Sequence, residues 1–423
     1  MSALRAAPLG ALCVWLGACA FANPVFAAPA LATQPPPDLQ AAIRTLWATS
    51  PQVQAAEAEL RAARERARAA AQPVYNPSLQ LDGENADVDR RTVGASLPLD
   101  VFGKRKARVR EGDAAVRASE AAYALQRRDV ARDWLKAWAG VVLIREQRAL
   151  GEHRLVLMRR FDELAGQRLK VGDISSPERD LAGLALGEAL VEQAALATQE
   201  AEASGALAAL GGAEAALPSL PRSLPSPAAA IVPIEVADRP DILQAQSEQE
   251  RADAAVNVAD RNRRPDPTLS LTGGQVRSGS RTDRVVGISI AMPLPVLNSG
   301  RYEVSAARAD ADAAFASRRA VELRSDAQLR QAQATYAAMR SASEAFRLGR
   351  AGAFNERAAL LDKLWQAGEI STSDYLVQLK QSLDTALSGI ALENQTWQAW
   401  FDYLAASGRL NEWVAGDLKD ASP

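Results

Sequence analysis

Cysteine is almost missing from this 423-residue chain: there are 2, Cys13 and Cys19, both close to the N-terminus. If the segment that holds them is removed, the remaining chain has neither disulfide nor thiolate chemistry. Histidine occurs once, as His153, midway along a helical stretch. A lone histidine there reads as a packed or exposed side chain. No Cys, His or Met cluster offers a site for a soft or borderline metal. No catalytic constellation is present either, so the chain is expected to be no enzyme and to carry no cofactor. Charge of one sign is also lacking: 49 Lys and Arg face 51 Asp and Glu, a net of −2, which argues against a nucleic-acid partner. Aromatics make up only 5%, and abundant alanine suits long, closely packed helices better than an enzyme core. Past the N-terminus no apolar run approaches a spanning helix, so any membrane crossing is expected to use strands.

The N-terminus reads as an export signal over residues 1–27. Arg5 supplies the charge, Ala6 to Ala22 the apolar run, and Val25-Phe26-Ala27 a small-residue site for cleavage before Ala28. The run falls short of the ~20 residues that a membrane anchor needs. A second processing route stays open. Leu16-Gly17-Ala18-Cys19 resembles a lipobox, in which case cleavage falls before Cys19 and that residue is lipidated.

The chain then repeats itself. Asn76-Pro77-Ser78-Leu79, Val93-Gly94, Gly103-Lys104-Arg105 and Val171-Gly172-Asp173-Ile174-Ser175 return as Asp266-Pro267-Thr268-Leu269, Val286-Gly287, Gly300-Arg301 and Ala367-Gly368-Glu369-Ile370-Ser371. The offset drifts from 190 (267 − 77) to 196 (368 − 172), as small loop indels between two copies produce. The first copy occupies 28–217, a Pro-rich linker 218–237, the second copy 238–408, and a tail 409–423.

Each copy holds the same elements. A helix from Asp38 to about Ala71 precedes a β-hairpin over 77–99, in which Leu79 and Leu81, then Val93, Ala95, Leu97 and Leu99, alternate with smaller or polar residues. No proline interrupts the next stretch up to Lys170, 170 − 103 = 67 residues. As a helix it spans ~100 Å, too long for an ordinary globular domain. Gly172 allows a left-handed reversal, and Ser176-Pro177 starts a return helix, giving a helical hairpin over 104–212. The second copy predicts a helix over Asp241 to Arg264, a β-hairpin over 267–293, an unbroken helix from Gly300 to Ala367 and a return arm, a helical hairpin over 301–408. Leu376, Leu383, Ile390, Trp397 and Leu404 recur every seven residues in that last helix, a coiled-coil seam.

The fold class expected is therefore mainly α with a small β part. Four strands per chain cannot close a barrel, and open edges are not tolerated in lipid. Three copies supply 3 × 4 = 12 strands, enough for closure. Leu79, Leu81, Val93, Leu97, Leu269, Leu271, Val286, Ile288 and Ile290 are then expected to face lipid.

In the order and length of these parts the chain resembles the TolC-type outer-membrane efflux proteins. Phe102-Gly103-Lys104-Arg105 after the first hairpin resembles the cobalt–zinc–cadmium resistance branch, although a basic cluster after a strand also serves as a generic interfacial anchor. The resemblance implies a homotrimer in the outer membrane of a Gram-negative bacterium: a 12-stranded barrel on a periplasmic helical tube. Its partners would be outer-membrane lipid, a periplasmic membrane-fusion adaptor and an inner-membrane resistance-nodulation-division pump, with divalent heavy-metal cations as cargo. The same fold also serves drug efflux or type I protein secretion. A periplasmic coiled-coil scaffold without a pore is the reading from another class. The resemblance places the reversals at the periplasmic tip, as adaptor-docking residues Leu169, Val171, Gly172, Asp173, Ile174 and Ser175 with Gln366, Gly368, Glu369, Ile370 and Ser371. It makes Asp180 and Asp374, with Glu178 as a rival, candidates for a carboxylate gate, and Arg168 and Tyr375 candidates for closing hydrogen bonds.

Overall fold

The computed structural model describes residues 34–85, 87–211, 217–349 and 354–416. The export signal and Cys19 lie outside them. The order is α1 (Pro37–Thr49), α2 (Pro51–Ala70), β1 (Ser78–Glu84), β2 (Val88–Pro98), α3 (Lys104–Lys170), α4 (Ser176–Ala209), α5 (Pro240–Asn262), β3 (Thr268–Ser278), β4 (Arg281–Ala291), α6 (Arg301–Leu348), α7 (Phe354–Gln366), α8 (Thr372–Ala406) and α9 (Leu410–Ala415).

The predicted first helix is in fact two, because Ser50 takes an extended conformation ahead of Pro51. α3 matches its expected bounds over 67 residues. Asp100 sets its start: the carboxylate accepts the N–H groups of Lys104 at 2.7 Å and Arg105 at 2.8 Å, donors that the helix itself leaves unpaired. The second long helix is not continuous, contrary to the sequence pattern. α6 ends at Leu348 and Gly349 is extended, at φ −75° and ψ 134°. A glycine loses the most backbone freedom in a helix and is the cheapest place to leave it.

The four strands form one sheet in the order β1-β2-β3-β4, every neighbour antiparallel. The strands run away from the helices and back. The turns between β1 and β2 and between β3 and β4 therefore mark the far end of the molecule.

Two cores hold the helices together. The larger gathers Trp134, Trp138, Tyr336, Trp397, Trp400, Phe401, Tyr403 and Trp413 with Leu39, Ile43 and Leu135. Each ring removes ~150–250 Å² from water, so a small share of aromatics is concentrated where it does most. The Pro-rich linker wraps this core through its carbonyls. Pro218 accepts from Trp138 Nε1 at 2.9 Å, Ala228 from the Tyr403 hydroxyl at 3.1 Å, and Pro225 from Arg340 Nε at 2.9 Å. The expected C-terminal tail is partly structure: α9 buries Leu410, Trp413 and Val414 in the same core. The smaller core lies near the helical reversals. Along α8 the predicted seam shows as buried Leu383, Trp397 and Leu404.

One helix corrects the expectation that no helix is apolar enough to span. α4 meets the length and composition of a spanning segment, with a mean hydropathy of 1.2 over its best window. It is nevertheless the return arm of a hairpin on α3. Glu192 and Glu200 of α4 pair with Arg154 and Arg148 of α3, and Glu188 of α4 with Lys380 of α8.

Candidate functional site

The sheet is two-faced. Register puts Leu79, Ala95, Leu271 and Ile288 in one cross-strand row, Leu81, Val93, Gly273 and Val286 in the next, and Leu97, Leu269 and Ile290 in a third. Residues paired across antiparallel strands share a face. All nine predicted lipid-facing residues therefore lie on one surface, and all nine are exposed. Past the end of β4, Leu294, Val296 and Leu297 are exposed as well, which sequence periodicity missed because they follow the strand. The opposite face carries Ser78, Ser96, Ser270 and Ser289 in one row, then Gln80, Gly94, Thr272 and Gly287, then Asp82, Thr92, Gly274 and Val285. Small hydroxyls and glycines there leave room and offer hydrogen-bonding groups to water. An apolar surface outside and a polar surface inside is the arrangement of a barrel wall.

Where sheet meets helices, Lys104 and Asp266 form a buried ion pair at 2.9 Å, and the Tyr75 hydroxyl donates to the same carboxylate oxygen at 2.7 Å. Burial alone would push the Lys104 ammonium down, but the Asp266 carboxylate beside it outweighs burial, and the pKa is raised. Lys104, of the Gly-Lys-Arg motif, is thus a bolt between the first and second copies and not an interfacial anchor. Arg105 donates to the Ala71 carbonyl at 2.7 Å.

At the opposite end the two reversals share one geometry. Asp173 N–H donates to Arg168 O and Gly172 N–H to Leu169 O; Glu369 N–H donates to Leu364 O and Gly368 N–H to Trp365 O. Gly172 (φ 77°) and Gly368 (φ 74°) supply the left-handed step. Each reversal is followed by a capped helix. Glu178 accepts from Ser175 N–H at 2.8 Å, and Ser371 Oγ accepts from Asp374 N–H at 3.1 Å. The Ser175 N–H and hydroxyl hold the Glu178 carboxyl below its ordinary range. Leu169, Val171, Gly172, Asp173, Ser175, Gln366, Gly368, Glu369 and Ser371 are all exposed, while Ile174 and Ile370 turn half-way into the core.

The expected gate residues separate. Asp180 is exposed and Glu178 half-buried in its cap; Asp374 is exposed and bonds Ser371. Tyr375, a candidate for closing hydrogen bonds, is turned into the core. It is 2% exposed, stacked between Phe161 (ring centroids 5.0 Å apart) and Trp365 (5.5 Å), and burial pushes its hydroxyl up to about 12. The seven-residue seam puts its neighbour Leu376 at the interface, and the α8 turn carries Tyr375 inward beside it. Arg168 lies over the Trp365 ring at 4.5 Å and 3.6 Å from Asp173. His153 is exposed, near Glu146 and Glu393 at the rim of a cleft between α3, α6 and α8. Among the described residues no three His, Cys, Asp or Glu side chains converge into a group able to hold a metal.

Comparison with known proteins agrees with this geometry. Residues 42–213 match the family described as Outer membrane efflux protein. The cobalt-zinc-cadmium resistance protein CzcC of Cupriavidus metallidurans is 26% identical over 250 residues, 57% of this chain and 59% of that protein. The nickel-cobalt-cadmium resistance protein NccC of Alcaligenes xylosoxydans xylosoxydans is 26% identical over 251 residues, 59% of this chain and 57% of that protein. The matched stretches thus span less than two thirds of either relative. The fold agrees over nearly the whole length with the crystal structure of the CmeC outer membrane channel of Campylobacter jejuni, at a TM-score of 0.73 and 15% identity, covering 92% of this chain and 87% of that one.

Proposed function

We propose that this chain is an outer membrane efflux protein and one third of an exit duct through the outer membrane and periplasm. Three copies join β4 of one to β1 of the next, the two strands left with a free edge in the order β1-β2-β3-β4. The observation that carries this reading is that sheet: one exposed face with a broad apolar band, one polar face, and two unpaired edges, mounted on a 67-residue helix. An open edge and an apolar face of this size are tolerable only when closed and surrounded by lipid.

The duct is passive. No step needs bond chemistry, and the driving force comes from an inner-membrane pump coupled through a periplasmic adaptor that docks on the two reversals. Val171, the most exposed apolar side chain of the first reversal, and Leu169 beside it offer that adaptor an apolar contact. Divalent heavy-metal cations are the cargo proposed, supported by the names of the two relatives. Asp180 is the carboxylate best placed to favour cations at the tip, because Glu178 and Asp374 are engaged in helix caps.

The test combines three readouts on the full chain. Unheated membrane extracts should show a trimer, planar bilayers should show conductance, and a deletion strain should lose tolerance to zinc, cobalt or cadmium. A soluble periplasmic product without trimers would turn the reading into a scaffold. Unchanged metal tolerance with lost drug tolerance or protein secretion would replace the cargo.

A further inference from the structure

The apolar face of the sheet ends in cations. One row past Val286 the same surface carries Arg91, Gln275 and Arg284, and one row further Asp89, Arg277 and Thr282. These rows lie at the end with the β-turns, away from the helices. Three arginines and one carboxylate thus sit on the outer-facing, lipid-side rim of each chain. Arg91 shares Asp89 at 3.4 Å, whereas Arg277 and Arg284 have no ion pair among the described residues. The polar face at the same height is balanced differently: Arg281 is tied to Asp283 at 3.0 Å, and Arg90 lies opposite Glu84.

A charge facing hydrocarbon is costly at the midplane and nearly free at the interface. The arginines therefore fix where the headgroups begin. Arg91 and Arg284 are two strands apart, ~10 Å at ~4.8 Å per strand, and Arg277 stands ~7 Å along the strand from their row. Guanidinium side chains reach across such spacings and bind phosphate oxygens in pairs.

We propose that Arg91, Arg277 and Arg284 form a binding site on the lipid side of the barrel rim for the phosphate groups of an outer-leaflet lipid. The inference rests on the barrel reading above and adds the class of lipid that surrounds it. The site orients the barrel in the bilayer and holds a collar of phosphorylated lipid around it. Free phosphate lacks the acyl chains that the apolar rows beneath would cover, so it is a poor substitute.

The full chain reconstituted in phosphatidylcholine vesicles with and without bisphosphorylated lipid A tests this. Variants R277Q/R284Q and R90Q/R281Q remove equal charge from opposite faces. Lipid A recovered with the purified protein should fall about tenfold or more in R277Q/R284Q, given the attraction of each arginine to an anionic surface, and should hold in R90Q/R281Q. Equal loss in both variants, or no preference for lipid A in the natural chain, overturns the site. So does equal stabilisation by inorganic phosphate alone. Insertion into vesicles without lipid preference sinks only this inference, whereas failure to insert into either vesicle sinks the barrel reading with it.

Discussion

The two copies of the repeat occupy equivalent positions with different chemistry. At the start of α2 the first copy has Ser50-Pro51-Gln52-Val53; at the start of α5 the second has Arg239-Pro240-Asp241-Ile242. Both bury the apolar residue, Val53 or Ile242. The neutral pair in one is a buried charged pair in the other, with Arg239 and Asp241 at 2.9 Å and Ser325 donating to the same carboxylate. Before β1 stands Asn76 and before β3 Asp266; after the Gly103 and Gly300 turns stand Lys104 and Arg301. Only the cross pair Lys104–Asp266 is made, while Arg301 lies over the Tyr302 ring. At the reversals, exposed Leu169 of the first copy corresponds to buried Trp365 of the second. The duplication thus kept the turn geometry and many apolar positions and let polar contacts specialise, because backbone turns have few solutions and polar pairs have many.

The largest expected effect is at the tip. Trp365→Ala removes a ring that touches Phe161 and Tyr375, and should cost about 3–5 kcal/mol. Leu169→Ala, at 36% exposure, should cost under about 1 kcal/mol. Hydrogen exchange over α7 and the start of α8 measures both, and similar losses would erase the distinction between the tips.

Next comes the junction. Asp266→Asn leaves the Lys104 ammonium buried without its counter-charge, worth about 3 kcal/mol, while Asn76→Ala should be near neutral. Denaturant midpoints of the two variants against the natural chain read the difference. An Asp266→Asn variant as stable as the natural chain would mean that the bolt is ornamental.

The third effect is a pH dependence that Asp241 adds at a position where the first copy carries the neutral Gln52. Burial alone would raise the Asp241 carboxyl, but Ser325 and Arg239 outweigh it, and the pKa is lowered. A lowered carboxylate adds stability above the unfolded value of about 3.9 and loses it as pH falls through the folded value. Melting between pH 5 and about 2 should show an acid limb that Asp241→Asn flattens and Gln52→Ala does not. Identical acid limbs in all three chains would remove the assignment.

The smallest effect should be equal in both copies. Ser175→Ala and Ser371→Ala each remove a cap, at about 1 kcal/mol. A gap of more than about 1 kcal/mol between them would show that the two tips are capped unequally.

Much of this was legible beforehand. Strand alternation put nine residues on one face, and the α3 bounds followed from Gly103 and Gly172. The break at Gly349 was not legible, since a glycine inside a helical pattern is usually tolerated. The burial of Tyr375 was not legible either, because an aromatic beside a seam faces in or out by a small rotation of the helix. Leu294, Val296 and Leu297 were missed because prolines on either side disguise them as a loop.

The sequence by itself determined the duplicated plan, the bounds of α3 and of the two β-hairpins, and the two faces of the sheet. All of these are set by local periodicity and by glycine, proline and cap residues within a few positions. Only the tertiary structure decided that Lys104 meets Asp266, that the linker carbonyls close over the aromatic core, and that α9 belongs to that core. Those contacts join residues from 80 to 175 positions apart or depend on which way a helix is rotated. Local pattern carries no information on either.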